Sequence, residues 1–245
     1  MASKNSPFNL QHPERIHPAL WRATQFARAR RQAISTGFTQ LNQELPDQGW
    51  PLGTLIELMP AQPGIGEISL LCPALAQLNT QRSIVLINPP YQPYFHCWRN
   101  WQLHQHRLLW VRPQSYGDTL WATEQTLKHN ACAALICWAT HMRLPALRRL
   151  HLAAQQTDAL LFLLRPRAAG DQASAAPLRL LLQPSAYGLE VLISKRRGHR
   201  SNQPLLINVA SYTRATQGAN THAALDQSEF TPAQQPRYQP SATAI

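Results

Sequence analysis

The stretch TLIELMPAQPGIGEISLL, residues 54–71, decides how this chain is expected to fold. It opens on an apolar run, 54–59, that predicts a buried strand. After two glycines, apolar residues recur at intervals of three, four and three: Ile68, Leu71, Leu75 and Leu78. This spacing predicts a helix, which Pro73 is expected to shorten or kink. The layout is therefore strand, glycine loop, helix.

The glycine loop has the frame of a phosphate-binding loop without its binding groups. A P-loop has the pattern G-x-x-x-x-G-K-[ST], in which the lysine and the hydroxyl contact phosphate and Mg²⁺. Here Gly64 and Gly66 are present, but Gly66 is followed by Glu67 and Ile68. An acid in the first helical turn uses the helix dipole itself. At about 4 Å and an effective dielectric near 20, it repels an incoming phosphate by roughly 4 kcal/mol.

The acids that phosphoryl transfer needs are also missing from the predicted strand ends. An ATPase of this layout holds Mg²⁺ with a carboxylate and orients the attacking water with a further residue. ACAALICWATH (131–141) contains no acid, and SIVLINPPYQP (83–93) leaves its strand through Asn88 and two prolines. His96, Cys97, His104 and His106 match no structural zinc spacing. The sequence predicts no catalytic residues, no metal and no cofactor, and thus a non-enzyme.

Beyond this stretch, the chain alternates between short apolar runs and segments of helical period. The predicted strands are 83–88, 107–111, 131–139 and 159–166, and the predicted helices are 93–104, 117–130 and 144–157. Nearly continuous apolar strands are typical of a parallel sheet covered by helices on both faces. The segments 178–183, 188–198 and 204–209 predict an antiparallel meander at the sheet edge. The fold class is α/β, with a largely parallel, twisted sheet flanked by helices.

Three regions follow from the pattern of composition. We predict an N-terminal arm at residues 1–34, with a basic amphipathic helix at 18–33, and a core domain at residues 35–211. Residues 212–245 are polar, contain several prolines and are predicted to be a disordered tail. The arm and the stretch SKRRGHR (194–200) carry the candidate sites for an acidic partner or nucleic acid. These are Arg22, Arg28, Arg30, Arg31, Lys195, Arg196, Arg197 and Arg200. For both, a solvated charged surface is the alternative.

The charge balance indicates the class of partner. Lys and Arg number 23 against 12 Asp and Glu, for a formal net charge of +11. Such a chain attracts polyanions, either nucleic acid or an acidic protein surface. The longest apolar runs, 131–139 and 159–164, are too short to span a membrane. With no secretory signal in the N-terminal residues, we expect a cytoplasmic protein that makes no membrane contact.

Two side-chain expectations depend on strand and helix periodicity. Cys132 and Cys137 are five residues apart in a predicted strand and are expected on opposite faces as free thiols. Trp110, Trp121 and Trp138 lie in periodic segments and are expected in the core.

Residues 35–70 resemble the opening of the RecA core. That family shows S-T-G, L-D and G-x-P-x-G, then a strand with a glutamate, then the P-loop. The matching positions are Ser35, Thr36, Gly37, Leu41, Gly49, Pro51, Gly53 and Glu57. Asn42 replaces the aspartate, and the loop has one extra residue. A closer resemblance, over roughly residues 20–200, is to the ImuA family. It includes STGF, GWPLGTLIELM, GIGEISLLCPALAQL, NPPYQPY and LLFLLRP.

The resemblance implies a RecA-like core in a non-catalytic accessory factor of damage-induced (SOS) translesion DNA synthesis and mutagenesis. The implied partners are an ImuB-type relative of Y-family polymerases, an error-prone polymerase subunit and RecA. Two alternatives stay open. One is a SulA-like division inhibitor that binds the tubulin-like protein FtsZ, although such chains usually lack the STGF…GWPLG leader. The other is a DNA-binding module acting through residues 195–200.

Overall fold

The computed structural model describes residues 32–78, 81–101, 103, 107–198 and 203–210. The leading elements are β1 (Ala33–Ile34), α1 (Thr39–Glu44) and β2 (Trp50–Pro51). The other strands are β3 (Thr54–Pro60), β4 (Ser83–Ile87), β5 (Leu108–Val111), β6 (Cys132–Trp138), β7 (Leu160–Leu164), β8 (Leu178–Ser185), β9 (Gly188–Lys195) and β10 (Leu205–Ile207). The other helices are α2 (Glu67–Leu75), α3 (Phe95–Asn100), α4 (Tyr116–Lys128) and α5 (Leu144–Ala154), with a 3₁₀ turn at Arg167–Asp171.

Eight strands form one mixed sheet in the order β10-β9-β8-β3-β7-β6-β4-β5. All neighbours from β8 to β5 are parallel, whereas β9 is antiparallel to both β8 and β10. The predicted α/β class with a mostly parallel sheet is therefore confirmed. The antiparallel meander needs one correction, because β8 continues the parallel sheet beside β3 and only β9 and β10 run against their neighbours. The short strands β1 and β2 form a separate antiparallel pair.

Helices cover both faces of the sheet. On one face, Ile56 and Leu58 of β3 belong to a core that includes Leu70 and Leu71 of α2 and Trp98 of α3. On the other face, alternate strand residues pack with buried residues of the two later helices: Leu55, Leu161, Leu163, Leu127, Leu147 and Leu150. Right-handed crossovers explain this division, since the chain moves one way along the sheet through α2 and α3 and returns through α4 and α5.

A bulge in β6 overturns the expected placement of two cysteines. Ser83 of β4 lies opposite Cys132, but the next residue, Ile84, lies opposite Ala134, so that Ala133 is an extra residue. One extra residue reverses the alternation of faces along a strand. Cys132 and Cys137 consequently pack in the same core cluster, and the prediction of opposite faces was wrong.

Trp121 also departs from its prediction. It is 65% exposed on α4, whereas the buried stripe of that helix runs through Thr119, Thr123 and Leu127. A residue two positions from this stripe faces away from the sheet, because a helix turns by about 100° per residue. Trp110 and Trp138 are half-buried.

The four helices that the sequence predicts in the core all end early: α4 ends at Lys128 rather than at 130, and α5 at Ala154 rather than at 157. Helix α2 ends at Leu75 rather than Leu78, two residues after Pro73, which lacks the N–H that an internal helical position donates. Helix α3 ends at Asn100, although the pattern extends to 104.

Candidate functional site

The loop after β3 lies at the carboxyl edge of the parallel strands, where open α/β sheets bind their ligands. It reaches α2 through two glycines in the left-handed region, Gly64 at φ 86° and Gly66 at φ 108°. Gly66 is the N-cap of α2. A Cβ at Gly66 would lie 3.4 Å from Cγ2 of Val209, so the loop is closely covered by the segment after β10. Glycine at these positions permits the tight entry into the helix.

Glu67, the first residue of α2, turns its carboxylate back into this loop. Its Oε1 accepts a hydrogen bond from the Gly64 N–H at 2.8 Å, and the residue is only 4% exposed. In a phosphate-binding loop, backbone N–H groups of the glycine-rich turn before the helix are the groups that bind the anion. The chain therefore supplies its own anion at this position. Ile68, which follows Glu67, is half-buried.

The neighbouring strand ends contribute polar groups but no carboxylate. No Asp or Glu occurs in the segments that follow β3, β4, β6 and β7, which are residues 61–66, 88–93, 139–143 and 165–170. Asn88, at φ 54°, donates through Nδ2 to the carbonyl of Trp138 and so links the ends of β4 and β6. A divalent metal held by carboxylates has no ligand on these segments. Within the described ranges, no group of three or more His, Cys, Asp and Glu side chains could hold a metal ion.

A groove with a volume of about 370 Å³ lies beside Glu67. Aromatic residues and prolines dominate its lining: Tyr91, Tyr94, Trp98, Trp101, Trp138, Pro89, Pro90 and Pro93. Trp98 and Trp101 meet edge to face with their ring centroids 5.8 Å apart. We refer to this cavity as the aromatic groove. Trp98 and Trp101 are three residues apart within the predicted helix 93–104, a spacing that fits one helix face. The sequence did not indicate that the segment after β4 would complete a cavity with them.

A buried ion triad joins residues of β3, of β8 and of the segment that follows β7. Glu57 of β3 is fully buried and accepts from Arg165 at 3.1 Å and from Arg179 at 2.6 Å. The remaining donors of Arg179 reach the carbonyl oxygens of Ala169, Gly170 and Gln172. Two guanidinium groups on one carboxylate leave the triad with one excess positive charge. The sequence identified Glu57 only as a position that matches the RecA pattern. It did not identify either arginine as its partner.

The basic stretch 194–200 is largely engaged within the fold. Lys195 donates to the carbonyl of Ser174 at 2.9 Å, and Arg196 pairs with Glu44 Oε2 at 2.8 Å and also contacts the Glu44 carbonyl. Arg197 is exposed. Arg200 lies outside the described residues, as do Arg22, Arg28, Arg30 and Arg31 of the arm and residues 212–245 of the tail. The described part thus does not bring the predicted basic residues together into one surface.

The buried thiols are not nucleophiles at neutral pH. Burial raises the pKa of Cys132 to about 12 and that of Cys137 to about 11, and it also raises the pKa of Cys72. Since the thiolate is the reactive form, these three cysteines are inert core residues. Cys97 is half-buried and lines the aromatic groove.

The chain matches no protein-family model and no curated protein. Over the ranges that the structure covers, no helix is both long and apolar enough to cross a membrane.

Proposed function

We propose that this chain is a non-catalytic accessory protein built on a RecA-like core, acting by protein contact in damage-induced translesion DNA synthesis. The observation that carries the proposal is the Glu67 carboxylate bonded to the Gly64 N–H at the start of α2. This loop is a degenerate P-loop whose anion position is filled by the protein itself. A phosphate entering it would have to displace a hydrogen-bonded carboxylate and would be repelled by it.

The strand ends support the same conclusion. Without carboxylates at 88–93 and 139–143, these two segments offer no acidic ligand for Mg²⁺ and no carboxylate to activate the attacking water. A nucleotide-site frame without these groups retains the shape of a nucleotide-binding domain but not its chemistry. Such a domain is suited to presenting a surface to other proteins.

The resemblance to the ImuA family names the partners in this proposal. They are an ImuB-type protein, an error-prone polymerase subunit and RecA. The mechanism is mimicry, in which a RecA-like surface, including the basic helix predicted to begin at residue 18, docks a polymerase assembly or caps RecA. The prediction that this helix extends to residue 33 was wrong, because Ala33 pairs with Pro51 in β1. The alternative of a DNA-binding module acting through residues 195–200 gains less support. The pairing of Arg196 with Glu44 and of Lys195 with Ser174 withdraws both side chains from phosphate contact.

Affinity capture from DNA-damaged cells of the source species tests the partners. The tagged full chain is used, nuclease treatment precedes elution, and bound proteins are identified by mass spectrometry. Nuclease is needed because a chain of net charge +11 retains DNA-bound proteins through phosphate contacts. We expect an ImuB-type protein, a polymerase subunit or RecA. Recovery of FtsZ without them would contradict the proposal and establish a division inhibitor.

Calorimetric titration with Mg·ATP tests the loop. We expect no binding heat for the wild-type chain. The double variant Glu67→Lys with Ile68→Thr, which restores the lysine and hydroxyl of a P-loop, is the matched comparison because it removes the internal carboxylate. Micromolar binding of Mg·ATP by the wild-type chain, reduced when Glu67 is replaced, would overturn the proposal.

A further inference from the structure

The aromatic groove has an unusual charge composition for this chain. Among the described residues, its lining contains no Lys, Arg or His, and its one carboxylate is that of Glu67. The whole chain has a net charge of +11, so a cavity whose described lining carries an acid and no base has the opposite charge to the chain as a whole. Two tyrosines at its rim, Tyr91 and Tyr94, are 68% and 65% exposed. Exposed aromatic side chains beside a concave cavity are characteristic of binding hot spots.

Glu67 has an unused acceptor. Its Oε1 is bonded to Gly64, but its buried Oε2 has no hydrogen-bond partner within the described part of the chain. A buried carboxylate oxygen without a donor costs free energy, because water no longer solvates it. A ligand that brings an N–H donor and a positive charge relieves this cost. An anionic or purely apolar ligand does not.

We propose that the aromatic groove binds an arginine or lysine side chain from an extended segment of a partner protein, with Glu67 as its counter-charge. The faces of Tyr91, Tyr94, Trp98 and Trp101 attract a cation through their ring quadrupoles. The prolines add rigid apolar walls that have no N–H of their own to compete for Glu67. The inference rests on the proposed adaptor function and names the chemistry of one contact.

The volume of the groove also favours a side chain over a whole folded domain. At about 370 Å³ it is near the lower end of ligand cavities and accommodates one long side chain with its flanking residues. The hydrocarbon stem of an arginine or lysine packs on apolar walls while its charged end reaches a carboxylate. A partner segment would thus insert one basic anchor and lie over the exposed tyrosines.

A random heptapeptide display library, selected against the full chain, tests this site. Selection is carried out in parallel on wild type, Glu67→Gln, Tyr91→Ala and the control Tyr187→Ala. The Glu67→Gln side chain keeps a carbonyl that can accept from Gly64, and Tyr91 is exposed, so neither change removes core packing. Tyr187 is 76% exposed in the turn between β8 and β9 and does not line the groove. Thermal unfolding of each variant checks the fold.

We expect peptides selected by wild type to share an arginine or lysine. Their synthetic versions should bind Glu67→Gln and Tyr91→Ala at least about tenfold more weakly, which corresponds to about 1.4 kcal/mol. Their affinity for Tyr187→Ala should be unchanged. Selected peptides without a shared basic residue, or equal binding to Glu67→Gln and wild type, would overturn the inference.

A Mg·ATP titration of the same preparations separates this inference from the proposed function. Binding of Mg·ATP that competes with the peptides would mean that the loop is a nucleotide site, and both conclusions would fail. If Mg·ATP does not bind and the selected peptides share no arginine or lysine, only the inference about the aromatic groove fails, and the proposed function stands.

Discussion

Glu57 is buried in the sheet and held by two arginines. It stands in the apolar run 54–59, where each neighbour is buried, and it meets Arg165 and Arg179 from the two adjacent strands. The parallel register explains this meeting, since Glu57 lies opposite Leu163 and Arg179 in the sheet and Arg165 follows the end of β7. A buried ion group of this kind is costly to break, because removing one member leaves an unpaired charge in the interior.

Replacing Glu57 by Gln tests that account. The variant keeps the size of the side chain but leaves two buried guanidinium groups without a counter-charge. We expect the free energy of unfolding to fall by about 3–5 kcal/mol. Urea unfolding followed by tryptophan fluorescence measures it. Glu190→Gln, at a half-buried position on β9, is the control and should change stability by about 0.5 kcal/mol or less. A loss below about 1 kcal/mol for Glu57→Gln would show that the triad is not important for stability.

Between elements, the leader STGF is attached to helix α2 by close packing. Gly37 has φ 83°, and a Cβ there would lie 2.2 Å from Cβ of Pro73. Asn42 of α1 holds the same turn, since its Oδ1 accepts from the Thr36 N–H at 2.9 Å and its Nδ2 donates to Ser35 Oγ at 2.9 Å. The asparagine that stands where the RecA pattern has aspartate therefore both accepts and donates, which an ionised aspartate cannot do.

The Gly37→Ala variant should be markedly less stable than Gly198→Ala. Both glycines have positive φ, 83° and 93°, so each alanine incurs the left-handed cost of about 1–2 kcal/mol. Only Gly37 also meets Pro73, whereas no atom of the described residues lies within 4 Å of a Cβ at Gly198. Overpacking adds about 1–3 kcal/mol at Gly37. Urea unfolding of the two variants gives the difference. Equal losses would mean that the contact between leader and α2 is loose enough to admit a methyl group.

On the scale of the whole molecule, the boundary between arm and core matters for any deletion. The N–H of Leu52 donates to the carbonyl of Gln32 at 2.9 Å, and Ala33 and Ile34 pair with Pro51 and Trp50. Removing residues 1–34, the predicted arm, would therefore also remove β1. A deletion that ends at residue 31 keeps this pairing and tests the arm alone.

We expect the chain lacking residues 1–31 to keep a cooperative unfolding transition and its unfolding temperature while losing a polymerase partner or RecA in the capture experiment. Residues 18–31 of the proposed docking helix lie in the deleted part, whereas the described strand pairs and both core clusters lie outside it. The control is the full chain with Arg22, Arg28, Arg30 and Arg31 replaced by Gln. This variant keeps the arm but removes its positive charge, so it distinguishes a contact made by the charges from one made by the rest of the arm. Retention of every partner by the truncated chain would exclude the arm as the docking element.

The local pattern of apolar residues was sufficient to predict the fold class. Nearly continuous apolar strands separated by helical periods required a covered, mostly parallel sheet, because only such a sheet buries both faces of each strand. The strand, the glycine loop and the acidic first turn of the helix at 54–71 could also be predicted from the sequence. The backbone freedom of glycine and the charge at the start of a helix both act over a few neighbouring residues. Glu67 at the first position of α2 and the absence of acids after β4 and β6 followed directly from the order of residues.

Only the tertiary structure decided which distant residues meet. The β6 bulge placed Cys132 and Cys137 together, the sheet order brought Arg165 and Arg179 to Glu57, and the segment after β4 closed the aromatic groove over α3. Each of these depends on strand register and helix direction, which are set by packing of the whole core rather than by local preference. The amino-acid order alone thus determined the strands and helices from residue 54 onward and the glycine loop with its acidic helix start, but not β1, α1 and β2. The pairing of strands across the sheet determined the triad, the groove and the engagement of Arg196 with Glu44.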